Sequence, residues 1–167
     1  LTQLLVMALK GVPAFYLPAL LASENDIKSF SMTGQRRDLN REKFKLDNLV
    51  SVLNNPESNA NKNIKYLGNA MDIRSKLEQF HPSSEMECLS KGRSDIVVIK
   101  RGKGPKSVFA IHNMTENKIN YQLDDYDLPE LIDNDFNMKD FLASTKYNWK
   151  NISLDPFQVI WLGSLMK

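Results

Sequence analysis

The sequence predicts an α/β segment followed by an all-β domain, with the boundary near Pro82. Residues 12–17 form a short apolar run between glycine and proline, and apolar positions after it recur with the spacing of amphipathic helices. Beyond Pro82, short runs rich in β-forming residues alternate with turn signals. We therefore assign residues 1–82 to one domain and residues 83–167 to a small antiparallel β-sandwich.

The first 36 residues are predicted to form a buried helix, a central strand and a long loop. Residues 1–10 are apolar nearly all round, and Gly11 after them supplies a helix stop signal. Residues 12–17 lack polar alternation, which indicates a strand covered on both faces, as in parallel sheets. Residues 23–36 are polar and show no period, so we expect a loop there.

Two amphipathic helices are predicted next. The first begins near Asn40, a favoured N-cap residue. Its apolar stripe follows helical spacing and consists of Leu46, Leu49, Val50 and Leu53. After a polar break over residues 54–63, the second helix presents one apolar face made of Tyr66, Ala70, Ile73 and Leu77. Pro82 is expected to end this helix, because proline disfavours helical geometry in the residue before it.

Five strands are predicted in the second domain, at residues 86–89, 96–100, 107–113, 119–123 and 157–162. Residues 101–106 join two of them as a hairpin loop. Within residues 119–123, apolar and polar side chains alternate, which indicates a sheet with one solvated face.

Composition and charge exclude several classes of protein. Of 167 residues, 42% are hydrophobic, which is enough for one or two packed domains, and the net charge of +2 argues against a dedicated nucleic-acid binder. The single cysteine, Cys88, excludes an internal disulfide and fits a reducing compartment, so we expect a cytoplasmic location. Residues 4–22 are apolar, but Lys10, Gly11 and Pro13 interrupt them, which argues against a membrane span.

Several polar residues of the second domain are given structural interpretations. No second histidine or cysteine stands at metal-ligand spacing from His112, so we expect a hydrogen-bonded sheet histidine and no metal site. The acidic pairs Asp124/Asp125 and Asp133/Asp135 lie in turn-like sequence and are predicted to be solvated.

The α/β segment predicts that this chain is a piece of a larger protein. A strand buried on two faces needs neighbours on both edges, and one strand with a few helices cannot supply them. The chain also starts inside an apolar helix, without an N-cap and without an initiator methionine. We expect the missing neighbours to come from chain upstream of Leu1, or from another subunit.

A dense polar cluster, Arg36-Arg37-Asp38-Leu39-Asn40-Arg41, follows the predicted loop and allows two interpretations. In the first, a guanidinium donates directional hydrogen bonds to sugar hydroxyls and pairs with a carboxylate that also binds the sugar ring. In the second, the cluster is a charged helix start, in which Asp38 and Asn40 cap the helix and the arginines are solvated. Spacing alone favours the second interpretation.

The segments GVPAFYLPALLASEND and TGQRRDLNREKF together resemble the last barrel strand, and its following loop, of the sucrose phosphorylase group of glycoside hydrolase family 13, within the α-amylase superfamily. The resemblance continues through FHP, VFAIHNMT and LDPFQVIWL and covers most of the chain, with residues 125–150 the weakest part. The combination of G-V-P-x-x-Y, S-x-N-D and R-D-x-N-R at these separations is specific, although each motif alone would be weak.

The resemblance implies that residues 1–82 are the last strand and helices of a (β/α)₈ TIM barrel, and that residues 83–167 are the C-terminal β-domain of the family. It implies that Arg37 faces the donor glucose and pairs with an aspartate from early in the barrel. Asp38, Asn40 and Arg41 match the rest of the motif, as loop-shaping or capping residues. The catalytic carboxylates of the family come from mid-barrel strands, so no catalytic residue is expected in this chain.

The resemblance also implies a reaction. We expect the C-terminal part of a retaining glycoside phosphorylase that transfers glucose from an α-glucoside, of the sucrose or glucosylglycerate/glucosylglycerol type, to inorganic phosphate, giving α-glucose 1-phosphate. No metal or organic cofactor is implied, the upstream barrel of the same polypeptide is the expected partner, and this piece alone should be inactive. The alternatives are an α-glucosidase or transglucosidase of the same family, or a non-catalytic β-sandwich binding module.

Overall fold

The computed structural model describes residues 1–124, 128 and 137–164. Its α-helices are α1 (Thr2–Ala8), α2 (Leu17–Leu20), α3 (Ile27–Thr33), α4 (Leu46–Asn54) and α5 (Asn59–Lys76), and 3₁₀ turns cover Arg36–Asn40, Glu78–Phe80 and Gly104–Lys106. Its strands are β1 (Met86–Cys88), β2 (Ile96–Arg101), β3 (Val108–Asn113), β4 (Ile119–Tyr121), β5 (Asn137–Asp140), β6 (Lys146–Asn148), β7 (Ile152–Leu154) and β8 (Val159–Gly163). The chain forms two compact units, one of Leu1–Pro13 with Ala70–Lys167 and the other of Ala14–Asn69.

The strands of the first unit form two antiparallel sheets. One sheet has six strands in the order β1-β2-β3-β8-β5-β6, and the other pairs β4 with β7. In the centre of the larger sheet, Ala110 of β3 lies opposite Ile99 of β2 on one side and opposite Trp161 of β8 on the other. The antiparallel β character predicted for residues 83–167 is confirmed in these strands.

Both sheets contribute to one apolar core. Its fully buried members from the larger sheet include Val98, Phe109, Ile111, Ile160 and Leu162. The β4–β7 pair adds Ile152 and Leu154, and the half-buried Ile119 and Tyr121 pack against the same cluster. Every residue of β8 is buried, so this strand is covered on both faces. On the face opposite the cluster, the Trp161 ring lies 4.7 Å from the ring of Phe80.

Two arginines bind the C-terminal end of α1 in the same unit. Arg74 donates from Nε to the carbonyl of Met7 at 2.9 Å and from Nη2 to that of Gly11 at 3.0 Å. Arg101, which is fully buried, donates from Nη1 to Ala8 and Leu9. The last carbonyls of a helix lack partners within the helix and carry its negative dipole end, so guanidinium donors are well suited to this position.

The predicted central strand at residues 12–17 is wrong. Residues 12–16 have no strand assignment and α2 begins at Leu17, while the side chain of Val12 is 81% exposed. An extended segment becomes a strand only when a ladder partner binds its backbone, and no described residue pairs with this one. Pro18 lies in the first turn of α2. Backbone N–H groups in a first turn have no partner within the helix, so proline, which lacks this group, loses no hydrogen bond there.

The predicted loop at residues 23–36 is also wrong, because it contains α3. The Asp26 side chain accepts a 2.9 Å hydrogen bond from the backbone N–H of Ser29, which caps the helix, and Gly34 ends it in the left-handed conformation with φ +66°. Asn40 does not start a helix, since Arg36–Asn40 is a 3₁₀ turn and α4 begins at Leu46.

The other two predicted helices are confirmed, with shifted ends. The helix expected at residues 1–10 is α1, but it buries only one face and leaves Val6 exposed, so its expected burial on most sides is wrong. Helix α5 begins inside the predicted polar break, where Ser58 Oγ accepts a hydrogen bond from the Asn61 N–H at 3.1 Å. Among the residues that the structure describes, no helix combines the length and the apolar character that crossing a membrane requires.

Candidate functional site

The Arg36–Asn40 turn is held in place by two neighbouring segments of the Ala14–Asn69 unit. The Tyr16 hydroxyl donates a 2.8 Å hydrogen bond to the backbone carbonyl of Asn40. The backbone N–H of Asp26 donates to the carbonyl of Leu39, also at 2.8 Å. The arginine-rich turn therefore lies at the carboxyl end of residues 12–16 and beside the N-terminus of α3.

The carboxylate of Asp38 closes the connection between α3 and this turn. Its Oδ2 accepts a 2.5 Å hydrogen bond from the hydroxyl of Thr33, in the last turn of α3. The Thr33 hydroxyl also accepts a 3.2 Å hydrogen bond from the N–H of Gln35. The backbone carbonyl of Asp38 accepts a 3.2 Å hydrogen bond from the Arg41 N–H. Three predicted positions, Asp38, Asn40 and Arg41, thus take part in hydrogen bonds that shape the turn, two of them through backbone groups.

The Arg37 side chain points outward from the turn. Its side chain is 65% exposed, and its Nε lies 4.0 Å from Asp38 Oδ1, at the limit of an ion pair. An exposed pair of this kind contributes at most about 1 kcal/mol to the free energy of unfolding, so Asp38 does not fix the guanidinium. Asn40 and Arg41 are exposed as well. Hydrogen bonds thus fix the backbone of the turn, while its arginine side chains remain exposed. A sugar-binding role for Arg37 stays a prediction.

Asp26 acts as a helix cap in this arrangement. Its carboxylate accepts hydrogen bonds from the hydroxyl and the backbone N–H of Ser29, and these bonds lower the pKa of Asp26. A carboxylate at a helix N-terminus is also favoured by the helix dipole. The S-x-N-D motif can therefore be explained by capping of α3 alone.

A cleft of about 490 Å³ in the Ala14–Asn69 unit was not predicted. Residues 21–23, residues 42–45 and the facing parts of α4 and α5 line it. Lys43 and Lys45 bring positive charge to the cleft, while Leu21 and Leu49 are apolar. The local sequence EKFK shows neither a periodic pattern nor a motif that indicates a cleft.

The other candidate residues show no catalytic arrangement in the part of the chain that the structure describes. Asp124 forms an ion pair with Lys91 at the surface, whereas Asp125, Asp133 and Asp135 lie outside the described residues. The fully buried His112 lies within β3, as predicted, and backbone groups of Leu4, Val97 and Ala110 approach its ring, although neither ring nitrogen meets strict hydrogen-bond geometry with a described residue. Within the described ranges, no three His, Cys, Asp or Glu side chains converge to hold a metal ion.

Comparisons with known proteins give sequence relatives of one kind. No protein-family model matches the chain. It is 30% identical over 114 residues to a glucosylglycerate phosphorylase of Allomeiothermus silvanus, covering 68% of this chain and 20% of the relative. The glucosylglycerate phosphorylase of Escherichia coli is 20% identical over 162 residues, or 97% of this chain and 27% of the relative. That of Spirochaeta thermophila is 27% identical over 100 residues, or 60% of this chain and 17% of the relative.

The chain therefore spans between a sixth and slightly more than a quarter of the length of these relatives. Solved structures share its fold. An Anoxybacillus α-amylase superposes with a TM-score of 0.64 at 17% identity, over 97% of this chain and 31% of that one. The Bacillus licheniformis trehalose-6-phosphate hydrolase superposes with a TM-score of 0.66 at 16% identity, over 96% and 37%.

These fold neighbours are enzymes of the α-amylase family, and the sequence relatives are glycoside phosphorylases. The chain is related to the sucrose phosphorylase-like group of glycoside hydrolase family 13, and the resemblance predicted from its sequence is confirmed.

Proposed function

We propose that this chain is the C-terminal part of a retaining glycoside phosphorylase that transfers glucose from a glucosylglycerate-type α-glucoside to inorganic phosphate. The observation that carries the proposal is that three sequence relatives, from three organisms, are all glucosylglycerate phosphorylases. The arginine-rich turn supports it, because this turn lies at the end of residues 12–16, where the family places its donor-sugar arginine.

In this proposal, residues 1–82 belong to the end of a (β/α)₈ barrel and residues 83–167 form the β-domain that follows it. Active sites of such barrels lie beyond the carboxyl ends of the strands. The exposure of Arg37 fits this arrangement, since the groups that would surround its guanidinium belong to the upstream barrel of the same polypeptide. The complete enzyme would work in the cytoplasm, without a metal or organic cofactor.

The proposed reaction proceeds by two displacements at the anomeric carbon. A carboxylate nucleophile attacks this carbon while a second carboxyl group protonates the glycosidic oxygen, so that glycerate leaves and a β-glucosyl–enzyme forms. A phosphate oxygen then attacks the same carbon, the carboxylate departs, and α-glucose 1-phosphate results with retention. Both carboxyl groups would come from the upstream barrel. Arg37 would donate hydrogen bonds to the hydroxyls of the glucose ring during both steps.

The test uses the complete polypeptide that contains this chain, incubated with glucosylglycerate and inorganic phosphate. Formation of α-glucose 1-phosphate, followed by ³¹P NMR and with the α anomer as the first product, is the expected result. Glucose released at the same rate without phosphate would show hydrolysis instead, and glucosyl transfer to a second sugar would show transglucosylation. The 167-residue chain alone should form none of these products.

A further inference from the structure

A second cleft, of about 420 Å³, lies in the β-rich unit and takes no part in the reaction proposed above. It is bounded by the turn before β2, by β4 and the residues after it, and by the turn before β7. Its polar lining comprises Ser90, Lys91, Arg93, Asn120, Gln122, Asp124, Lys150 and Asn151. Three of these side chains are cations, but Lys91 is paired with Asp124 and Arg93 with Asp95. The cleft with these partners therefore carries a net charge of +1, which favours anions.

The turn at residues 90–93 brings two of the cations to the cleft. Lys91 and Gly92 have φ values of +49° and +80°, and the Arg93 N–H donates to the Ser90 carbonyl at 2.9 Å, as in a type I′ turn. A left-handed conformation is uncommon for lysine, and such residues are concentrated at functional sites. Lys91 thus lines the cleft in a backbone conformation that is disfavoured for lysine.

The guanidinium of Arg93 is held rigidly. Asp95 binds its Nε at 2.9 Å and also its Nη2, and the guanidinium carbon lies 5.6 Å from the centre of the Tyr121 ring. Nη1 has no hydrogen bond to any of the described residues. Because arginine carries donors on all three nitrogens, a ligand in the cleft could bind at Nη1 with little loss of side-chain entropy.

Lys150 and Asn151, in the turn before β7, also line the cleft. The Lys150 ammonium lies 4.9 Å from the centre of the buried Trp149 ring, a cation–π contact that helps to position it. Its backbone N–H donates to the Asn148 side chain at 2.9 Å, which fixes the turn. Lys150 therefore adds a second positioned cation to the lining of the cleft, beside Arg93.

The remaining lining matches a sugar better than a bare ion. The amides of Asn120, Gln122 and Asn151 each donate and accept hydrogen bonds, as sugar hydroxyls do, and Tyr121 and Leu89 supply apolar surface. The cleft volume lies within the range of small-molecule sites. We propose that this cleft binds a sugar that carries a negative charge, either a sugar phosphate or a sugar acid, with its anionic group between Arg93 and Lys150.

The test is isothermal titration calorimetry on the whole 167-residue chain with four probes: α-glucose 1-phosphate, glucuronate, glucose and inorganic phosphate. At least one of the two anionic sugars should bind at least tenfold more tightly than either glucose or phosphate. Comparing glucose 1-phosphate with glucuronate then tells whether the phosphate or the carboxylate is preferred. The proposal would be overturned if inorganic phosphate bound as tightly as both anionic sugars. It would also be overturned if glucose bound as tightly as both anionic sugars.

Matched variants connect the binding to this cleft. Arg93→Gln and Lys150→Gln should each weaken binding of the preferred sugar at least tenfold, while Lys118→Gln, at an exposed lysine outside the cleft, should change it less than twofold. Because Arg93→Gln also breaks the bond to Asp95 and could unfold the turn, Asn151→Ala provides a milder change, with an expected loss of at least threefold. Unchanged binding in both Lys150→Gln and Asn151→Ala would overturn the proposal.

Discussion

The carbonyl oxygen of Leu9, just after α1, accepts a 2.7 Å hydrogen bond from Nη1 of Arg101, the last residue of β2. The same guanidinium donates from Nη2 to the carbonyl of His81 at 2.9 Å and from Nε to that of Glu85 at 3.3 Å. Its carbon lies 5.6 Å from the centre of the Phe80 ring. A single buried cation therefore joins α1, the segment after α5 and the larger sheet through backbone carbonyls.

Arg101→Met is expected to lower the free energy of unfolding by about 3 kcal/mol, because it leaves several buried carbonyls without donors. Arg101→Lys should recover only a minor part, since a lysine ammonium cannot reproduce the planar fork of donors. Urea denaturation followed by circular dichroism measures both changes. Lys106→Met, at an exposed lysine on the neighbouring 3₁₀ turn, is the control and should alter stability by less than about 0.5 kcal/mol. Equal effects at positions 101 and 106 would contradict this role.

Alanine substitutions at two glycines are expected to change stability in opposite directions. A Cβ at Gly163, the last residue of β8, would lie 2.4 Å from Cε2 of the Phe141 ring, so Gly163→Ala should destabilise the chain by about 1–3 kcal/mol. A Cβ at Gly68, inside α5, would meet nothing within 4 Å. Gly68→Ala should therefore stabilise the helix by up to about 1 kcal/mol, since alanine loses less backbone entropy. Thermal unfolding of both variants should show shifts of opposite sign, and shifts of the same sign would contradict the packing described for β8.

The buried His112 makes stability depend on pH. Burial lowers the pKa of His112 from its ordinary value of 6.5 to about 4. The unfolded chain therefore binds a proton at this residue as the pH falls through 6.5, while the folded chain does not until about pH 4. The free energy of unfolding should fall across this window, by up to about 3 kcal/mol in total from this residue.

Urea denaturation at several pH values between 4 and 7 tests this expectation. His112→Gln should remove most of the decrease, whatever its effect on stability at pH 7. His81→Gln, which replaces the other histidine of the chain at an exposed position, should retain it. If the two variants keep the same pH dependence, the decrease arises from other groups.

Long periodic elements could be predicted from the sequence, and short polar ones could not. Strands β2 and β3 consist largely of β-branched and aromatic residues, and α5 carries a clear apolar stripe. Among the described residues three strands were missed: β5 and β6, which are largely polar, and β7, whose alternating Ile152-Ser153-Leu154 carried a short period-2 signal that was not recognised. Each has three or four residues, and β6 is the polar tripeptide Lys146–Asn148, whose place in the sheet comes from pairing with β5. Pairing of this kind depends on the tertiary structure, so the local sequence carries no signal for it.

The helix α3 was missed although its signals were present. Asp26 and Gly34 are an N-cap and a C-cap of the preferred types, and only the absence of an apolar stripe led to the prediction of a loop. The opposite error occurred at residues 12–17, where apolar character predicted a strand that has no partner among the described residues. Arg101 was assigned to the hairpin loop at residues 101–106, but it is the last residue of β2, and the carbonyls that it binds are distant in sequence.

The motif around Arg37 was found from the sequence, but its geometry was not. The hydrogen bond between the Tyr16 hydroxyl and Asn40 connects the two halves of the motif, and no local pattern predicts it. The exposure of the Arg37 side chain likewise depends on the tertiary structure, so the local sequence does not predict it. A role at the sugar therefore has to be tested by kinetics in the complete polypeptide.

Arg37→Ala in that polypeptide is expected to lower kcat/KM for the α-glucoside about thirtyfold or more, equivalent to about 2 kcal/mol of transition-state stabilisation. The loss is expected because, in the proposed site, a charge-assisted hydrogen bond to the glucose ring would disappear in both displacement steps. Arg36→Ala is the matched control, since it removes an exposed guanidinium from the adjacent position. Arg37→Lys should stay close to the alanine variant, because lysine lacks the planar pair of donors. An unchanged kcat/KM in Arg37→Ala, or an equal loss in Arg36→Ala, would remove Arg37 from the sugar site.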